Sequence, residues 1–250
     1  MSYYEIVRAF PESSASASRL ALTARQLGYR GIIICNSDPG RIFGLQAAQM
    51  IKGIEVIVGA EVGRAGMGAS RSGSGADASA AGPGRPSSHN GARAIKSRVA
   101  SLRPKYPFLA VQGSSDETVR AAAEDPNVDM LHHPCESRRP LNIATARAAR
   151  DNCLAVGFDL SPMIHLRGSS RARWMQSLRH NLDLAGKFRL TIMITMGASS
   201  HLDLRSPRDI LALAEAAGFD PAAAEEALTQ PGRIVNLNRR KWLGPGVELL

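Results

Sequence analysis

Apolar and polar positions along the chain change period repeatedly, from the short continuous or two-residue pattern of strands to the wider spacing of amphipathic helices. Gly31–Asn36, GIIICN, is an unbroken apolar run, as in a parallel strand covered on both faces. Ile54–Val62 is rich in β-branched residues and reads the same way. With Tyr3–Val7, Pro107–Gln112, Val128–Leu131, Leu154–Asp159 and Thr191–Thr195 they make seven expected strands. Between them fall expected helices over Ser14–Leu27, Ile42–Ile51, Arg93–Arg103, Ser115–Ala123, Asn142–Asn152 and Ser170–Ala185, the last carrying Trp174, Leu178, Leu182 and Ala185 on one stripe. Such alternation implies parallel strands, in either an open doubly wound sheet or a barrel.

The last strand leads into the most strongly marked stretch, Thr191–Leu213. A small-residue loop, Gly197–Leu204, precedes a helix with Ser206 as N-cap, Pro207 at the first position and Asp209 completing a capping box. Gly218 offers its stop. This order puts Ser199, Ser200, His201, Arg205 and Arg208 at the carboxyl end of a strand, where α/β folds handle ligands. Capped junctions of this kind also serve as plain scaffold. Asp220–Leu228 and Pro231–Trp242 read as two terminal helices able to close the open side of a barrel.

Residues 63–91 break the pattern. The segment is mostly Gly, Ala, Ser, Pro and Arg, with Met67 its one large apolar residue, so it is expected to be a disordered insert within a single domain spanning 1–250. Arg64, Arg71, Arg85 and Arg93 make it either a basic tether for RNA or a surface insertion without a role.

Charge sharpens this picture. The formal net charge is +9 and arginine outnumbers lysine 26 to 5, which points to a polyanionic partner. Arginine grips phosphate bidentately and stacks on bases, although codon bias in a GC-rich genome yields the same excess. No apolar run of about 18 residues suggests a membrane span, and MSYYEIVRAF lacks a secretory pattern, so a cytoplasmic protein without membrane partners is expected. Cys35, Cys135 and Cys153 have no metal-type spacing.

Candidate chemistry collects at the strand ends. Glu61, His132, His133, His165 and His201 follow or end four strands and would share one barrel rim, as metal ligands or acid–base groups do. Arg138 and Arg139 follow the fifth strand, Arg167, Arg171 and Arg173 the sixth, and Arg205 and Arg208 the seventh. These basic clusters are the candidate RNA- or partner-binding residues. Alternatively they are solvated surface charge, with Arg205 paired to Asp203. The sequence holds no P-loop, GxSxG or HExxH motif, and no catalytic residue is assigned.

GYRGIIICNS (Gly28–Ser37), VDMLHHP (Val128–Pro134), Leu141–Ile164, Arg173–Thr195 and the final "GAS" loop with LRSPRDILAL together resemble one family over nearly the whole chain outside the insert. They are similar to protein component 3 of archaeal ribonuclease P, counterpart of the 30-kilodalton subunit of the eukaryotic enzyme. The resemblance implies a triose-phosphate-isomerase-type barrel, irregular at about seven strands and related to the polymerase-and-histidinol-phosphatase fold. It also implies a noncatalytic subunit that supports a catalytic RNA in removing the 5′ leader of precursor tRNA. Expected partners are that RNA, protein component 2 and other holoenzyme proteins, and precursor tRNA. Magnesium is expected with the RNA, and no cofactor in the protein. The alternative is a free-standing metal-dependent phosphoesterase of the same lineage. Those enzymes carry an H-x-H motif at the first strand, where this chain has Arg8-Ala9-Phe10.

Overall fold

The computed structural model describes residues 2–63, 88–132, 141–240, 242–244 and 247–248. Seven parallel strands follow one another in space as they do in sequence: β1 (Tyr4–Val7), β2 (Gly31–Asn36), β3 (Glu55–Val62), β4 (Leu109–Gln112), β5 (Met130–His132), β6 (Ala155–Asp159) and β7 (Ile192–Thr195). Helices α1 (Ala17–Gln26), α2 (Leu45–Gln49), α3 (Ser88–Leu102), α4 (Asp116–Ala123), α5 (Ile143–Asp151), α6 (Ser161–His165) and α7 (Gly168–Phe188) form the crossovers, and α8 (Pro207–Ala217) follows the last strand. Sequential parallel order with helical returns is the layout of a TIM-like barrel, the fold the family resemblance implies and, of the two the alternation left open, the one that forms. Ser206 is the N-cap expected, with both bonds of its capping box to Asp209 formed, and Asn142 caps α5 in the same way by accepting from the Thr145 amide.

Strand alternation divides the apolar residues into two sets. Tyr4, Ile6, Ile33, Cys35, Ile57, Phe108, Ala110, Met130, Ala155 and Met193 fill the barrel. Their neighbours on the opposite strand faces, such as Ile32, Ile34, Leu109, Leu131 and Phe158, pack under the helices. A seven-stranded barrel is narrow, and small residues make room in it. A Cβ at Gly157 would lie 2.7 Å from the Met130 sulfur.

Closure is incomplete in backbone terms. Between β1 and β7 there is one isolated bridge, Val7 with Ala198, where the Arg8 amide donates to the Ala198 carbonyl at 3.0 Å. Lower in the seam, side-chain oxygen substitutes for a ladder partner. Glu5 Oε1 accepts from the Met196 amide at 2.8 Å and from the Thr195 hydroxyl at 2.6 Å. The remaining gap is covered by α9 (Pro221–Asn238), which sends Val235 into the barrel interior and lays Gly232 on the ring of Tyr4, where a Cβ would lie 2.4 Å from the ring. At the floor, Asn238 Nδ2 donates to the Pro107 carbonyl at 2.9 Å and to Asp129 at 2.8 Å, and Arg239 pairs with Glu55.

Three expectations need correction. The two terminal helices are one helix, continuous through Pro231. Proline removes a single amide donor, and burial of Leu228, Pro231 and Val235 on either side of that point outweighs the loss. Trp242 lies outside the helix and begins a short strand, β8 (Trp242–Gly244), paired antiparallel with β9 (Val247–Glu248). The insert expected over 63–91 is shorter, because Gly63 closes β3 in a left-handed turn and α3 already includes Ser88 to Gly91, with Gly91 placed beside Glu117 of α4. Residues 64–87 lie outside the described residues.

Candidate nucleic-acid interface at the barrel rim

The carboxyl ends of the strands form the open rim, since α9 occupies the opposite end. Just inside it, inward positions of three strands bring Arg8, Glu61 and His132 together. Arg8 follows Tyr4 and Ile6 on the interior face of β1, so alternation carries its side chain into the barrel. Its guanidinium grips Glu61 with two bonds, Nε to Oε2 at 2.9 Å and Nη2 to Oε1 at 3.0 Å. His132 Nδ1 donates to Glu61 Oε1 at 2.8 Å. All three residues are buried, Glu61 to 2 % exposure. Burial alone would raise the Glu61 pKa. The bond and charge of His132 and the charge of Arg8 overcome it and hold the carboxyl well below the usual range. Next to them, Asp159 takes the Ser161 amide at 2.8 Å and the Ser161 hydroxyl at 2.9 Å.

This arrangement does not suit a metal ion. A divalent cation at the strand ends needs several converging anionic or neutral donors, and here a fixed guanidinium already takes both oxygens of the central carboxylate. The space bounded by Ile6, Arg8, Cys35, Glu61, His132 and Gly197 does not admit a water molecule. Among the described residues no three His, Cys, Asp or Glu side chains are placed to hold a metal. Of the expected rim set, only Glu61 and His132 meet. His165 is exposed at the end of α6 and His201 lies in the loop after β7, while His133 is outside the described residues. Sequence alone puts Arg8 after the first strand but does not join it to Glu61. The signal was present in the Tyr4, Ile6, Arg8 alternation.

The arginines divide by location. Arg138 and Arg139 lie outside the described residues. Arg167 is exposed at the start of α7, and Arg171 one turn on donates to the Leu166 carbonyl at 2.7 Å. Arg205 and Arg208 flank the start of α8. The expected alternative for Arg205, an ion pair with Asp203, does not form. Its Nη1 instead donates to the carbonyls of Leu202 at 2.7 Å and Leu204 at 2.9 Å. Asp203 accepts instead from the Ser199 hydroxyl. A backbone-bonded guanidinium keeps its full charge, so Arg205 remains cationic towards an outside anion. Arg208 is exposed on the first turn with no ion pair among the described residues. Because β6 and β7 are neighbours in the sheet, the two pairs occupy adjacent loops of one rim.

The fold and rim thus define a TIM-like α/β barrel with a buried Arg8–Glu61 ion pair just inside the carboxyl rim and with exposed Arg167 and Arg208 on that rim. Comparison with known proteins identifies the family. The model for RNase P subunit p30 matches residues 88–243. Ribonuclease P protein component 3 of Methanosarcina mazei is 34% identical over 98% of this chain and 93% of its own length. The protein of that name from Haloarcula marismortui is 33% identical over 98% and 96%. The chain belongs to the ribonuclease P protein component 3 family, and so is a protein subunit of ribonuclease P. Its fold matches a chain of a cryo-EM structure of archaeal ribonuclease P with mature tRNA, at a TM-score of 0.76 and 20% identity, covering 99% of this chain and 97% of that one. It also matches, more distantly, a Xaa-Pro dipeptidase, at a TM-score of 0.59 and 11% identity over 96% and 76%.

Proposed function

We propose that this chain is a noncatalytic subunit, contributing a rigid basic barrel to an RNA-based enzyme that removes the 5′ leader of precursor tRNA. The observation that carries this reading is the Arg8–Glu61 pair, which places a protein cation where a hydrolytic barrel would need an open metal site. The alternative of a free-standing metal phosphoesterase finds no support in the comparisons or in the donor set. On this reading magnesium serves the RNA rather than the protein. Ribonuclease P RNA, precursor tRNA, protein component 2 and other holoenzyme proteins are its partners, and the cytoplasm is its place of action. No described helix is long and apolar enough to cross a membrane. The exposed arginines of the rim, Arg167 and Arg208 with Arg205 beside them, supply directional phosphate contacts.

Reconstitution tests this directly. Ribonuclease P RNA and the remaining proteins should cleave precursor tRNA efficiently only when this chain is included, and the isolated chain with Mg²⁺ or Mn²⁺ should not cleave it. Turnover by the pure protein, lost on His132→Ala, overturns the proposal.

A further inference from the structure

Among the described aromatic residues whose burial is defined, only Phe10 and Phe43 are exposed, at 50% and 65%. They lie against each other, ring centroids 6.1 Å apart and planes at 81°. An aromatic pair left in water on a chain with 5% aromatic content is costly unless something covers it. Its location is also specific. Phe10 follows β1 and Phe43 follows β2, so both stand on adjacent loops of the rim that carries the arginines.

The backbone holds the pair in place. The Phe43 amide donates to the Phe10 carbonyl at 3.0 Å, and the Phe10 amide to the Ala15 carbonyl at 2.8 Å. The Ala17 amide donates to the Phe43 carbonyl, and the Ser18 hydroxyl to the Gly44 carbonyl at 3.1 Å. Two loops are thereby bonded to each other and to the start of α1, so little ordering is needed when a ligand arrives. An edge-to-face pair leaves a ring face open, the geometry a planar ligand requires.

Charge selects the ligand class. Exposed Arg41 lies two residues before Phe43 and shares its charge with Asp38 at 3.2 Å, and Arg98 reaches the Ser37 carbonyl of the same loop. The Glu12 carboxylate is occupied by the Ser37 and Asp38 amides. Across the rim, the Ser14 amide and hydroxyl bond the Ser199 carbonyl. That joins the Phe10 loop to the loop carrying exposed Leu202 and, beyond it, Arg205. An exposed aromatic pair on the rim that also carries Arg41 and Arg205, on a chain of net charge +9, fits a flat base on an anionic backbone better than an aliphatic protein face.

We propose that Phe10 and Phe43 form a stacking platform for an unpaired RNA base, with Arg41 and Arg205 placed for the flanking phosphates. The inference rests on the ribonuclease P reading and names the class of RNA element the rim takes, a single-stranded nucleotide rather than a duplex.

The test titrates the full-length chain against a single-stranded RNA oligonucleotide carrying 2-aminopurine, beside a matched duplex and an oligonucleotide abasic at the probe position. Wild type should quench the probe on binding. Phe10→Ala/Phe43→Ala should weaken single-strand binding by roughly five- to 150-fold per stacked base, the range for loss of base–aromatic stacking. Duplex and abasic binding should be unchanged, and Phe10→Trp or Phe43→Trp should restore the quench. Failure of wild type to bind the single strand overturns the proposal, as does equal binding by wild type and the double variant. So does loss of component 2 association, or of self-association, with RNA binding intact. Cleavage of precursor tRNA by the holoenzyme containing wild-type chain separates the two readings, since it supports the ribonuclease P assignment whether or not the platform stacks a base.

Discussion

Glu61→Gln isolates the energetics of the barrel centre. The substitution keeps the volume of the side chain and a hydrogen-bonding oxygen but leaves Arg8 buried without its counter-charge. At 2.9 Å the pair has a gross Coulombic attraction of about 6 kcal/mol at an effective dielectric of 20, most of it offset by desolvation of both groups. Removing one partner forfeits the attraction and keeps the other group's desolvation cost, which amounts to about 3–5 kcal/mol for buried pairs. For a domain of this size that lowers Tm by about 6–20 °C. Arg8→Met should cost a similar amount, whereas Arg8→Met/Glu61→Met should recover part of the loss, because it removes both charges of the pair, the remaining cost being the acceptor that the buried His132 ring loses with Glu61. The pH dependence has a defined sign. The folded Glu61 pKa lies below its unfolded value, so its stabilisation is present above about pH 4.5 and is lost as pH falls towards the folded pKa. Glu61→Gln should flatten that acid limb. Urea melts of the four proteins, from pH 3 to 8, measure all of this. A Glu61→Gln protein within about 1 kcal/mol of wild type, or single-site losses that simply add in the double variant, would refute the reasoning.

Glu5 acts in the opposite direction: burial, partly opposed by its bonds to Thr195, Met196 and Tyr29, raises its pKa to about 7. Its contribution should be complete below about pH 4.5 and lost as pH rises through about 7, so urea midpoints of wild type should fall between pH 5 and 8 while those of Glu5→Gln stay flat. Gly232→Ala should destabilise by about 1–3 kcal/mol by overpacking against Tyr4, whereas Gly186→Ala, with nothing within 4 Å of the new methyl, should stabilise α7 by about 0.5–1 kcal/mol, both read from the same urea melts. Arg205→Ala/Arg208→Ala should leave Tm nearly unchanged and reduce the slope of log affinity for ribonuclease P RNA against log salt by about one to two; an unchanged slope would return both residues to the scaffold.

The strands were legible because each buries both faces and so writes its apolar run directly into the sequence, as Gly31–Asn36 does. The start of α8 was legible because capping is a local interaction between Ser206 and Asp209. What escaped depended on distant partners. Pro231 reads as a break until its burial in α9 against the barrel is known. Arg8 and Glu61 stand 53 residues apart and are joined only by barrel curvature. Phe10 and Phe43, too, are ordinary loop aromatics in the sequence and become a pair only when β1 and β2 lie side by side. Arg205 was placed correctly at the seventh strand, but its bonds to backbone carbonyls, in place of one to Asp203, depend on a loop path that no local pattern encodes.

Closure of the seam by α9 sets an order of events during synthesis. A ribosome makes the strands in the order in which they pair, at roughly 5–20 residues per second, so the sheet can grow edge by edge as the chain emerges. The first strand must then wait for the last long helix, because the ring of Tyr4 is covered by Gly232 and the interior completed by Val235, more than two hundred residues later. Until then the nascent sheet has two unpaired margins, at β1 and β7, and a half-open interior that other chains could join. Docking of α9 therefore completes the barrel, since its margin between β1 and β7 stays open until Gly232 and Val235 are in place. Binding that requires rim loops on both sides of that margin can begin only with the finished molecule, which ties entry into the ribonucleoprotein to completion of the fold.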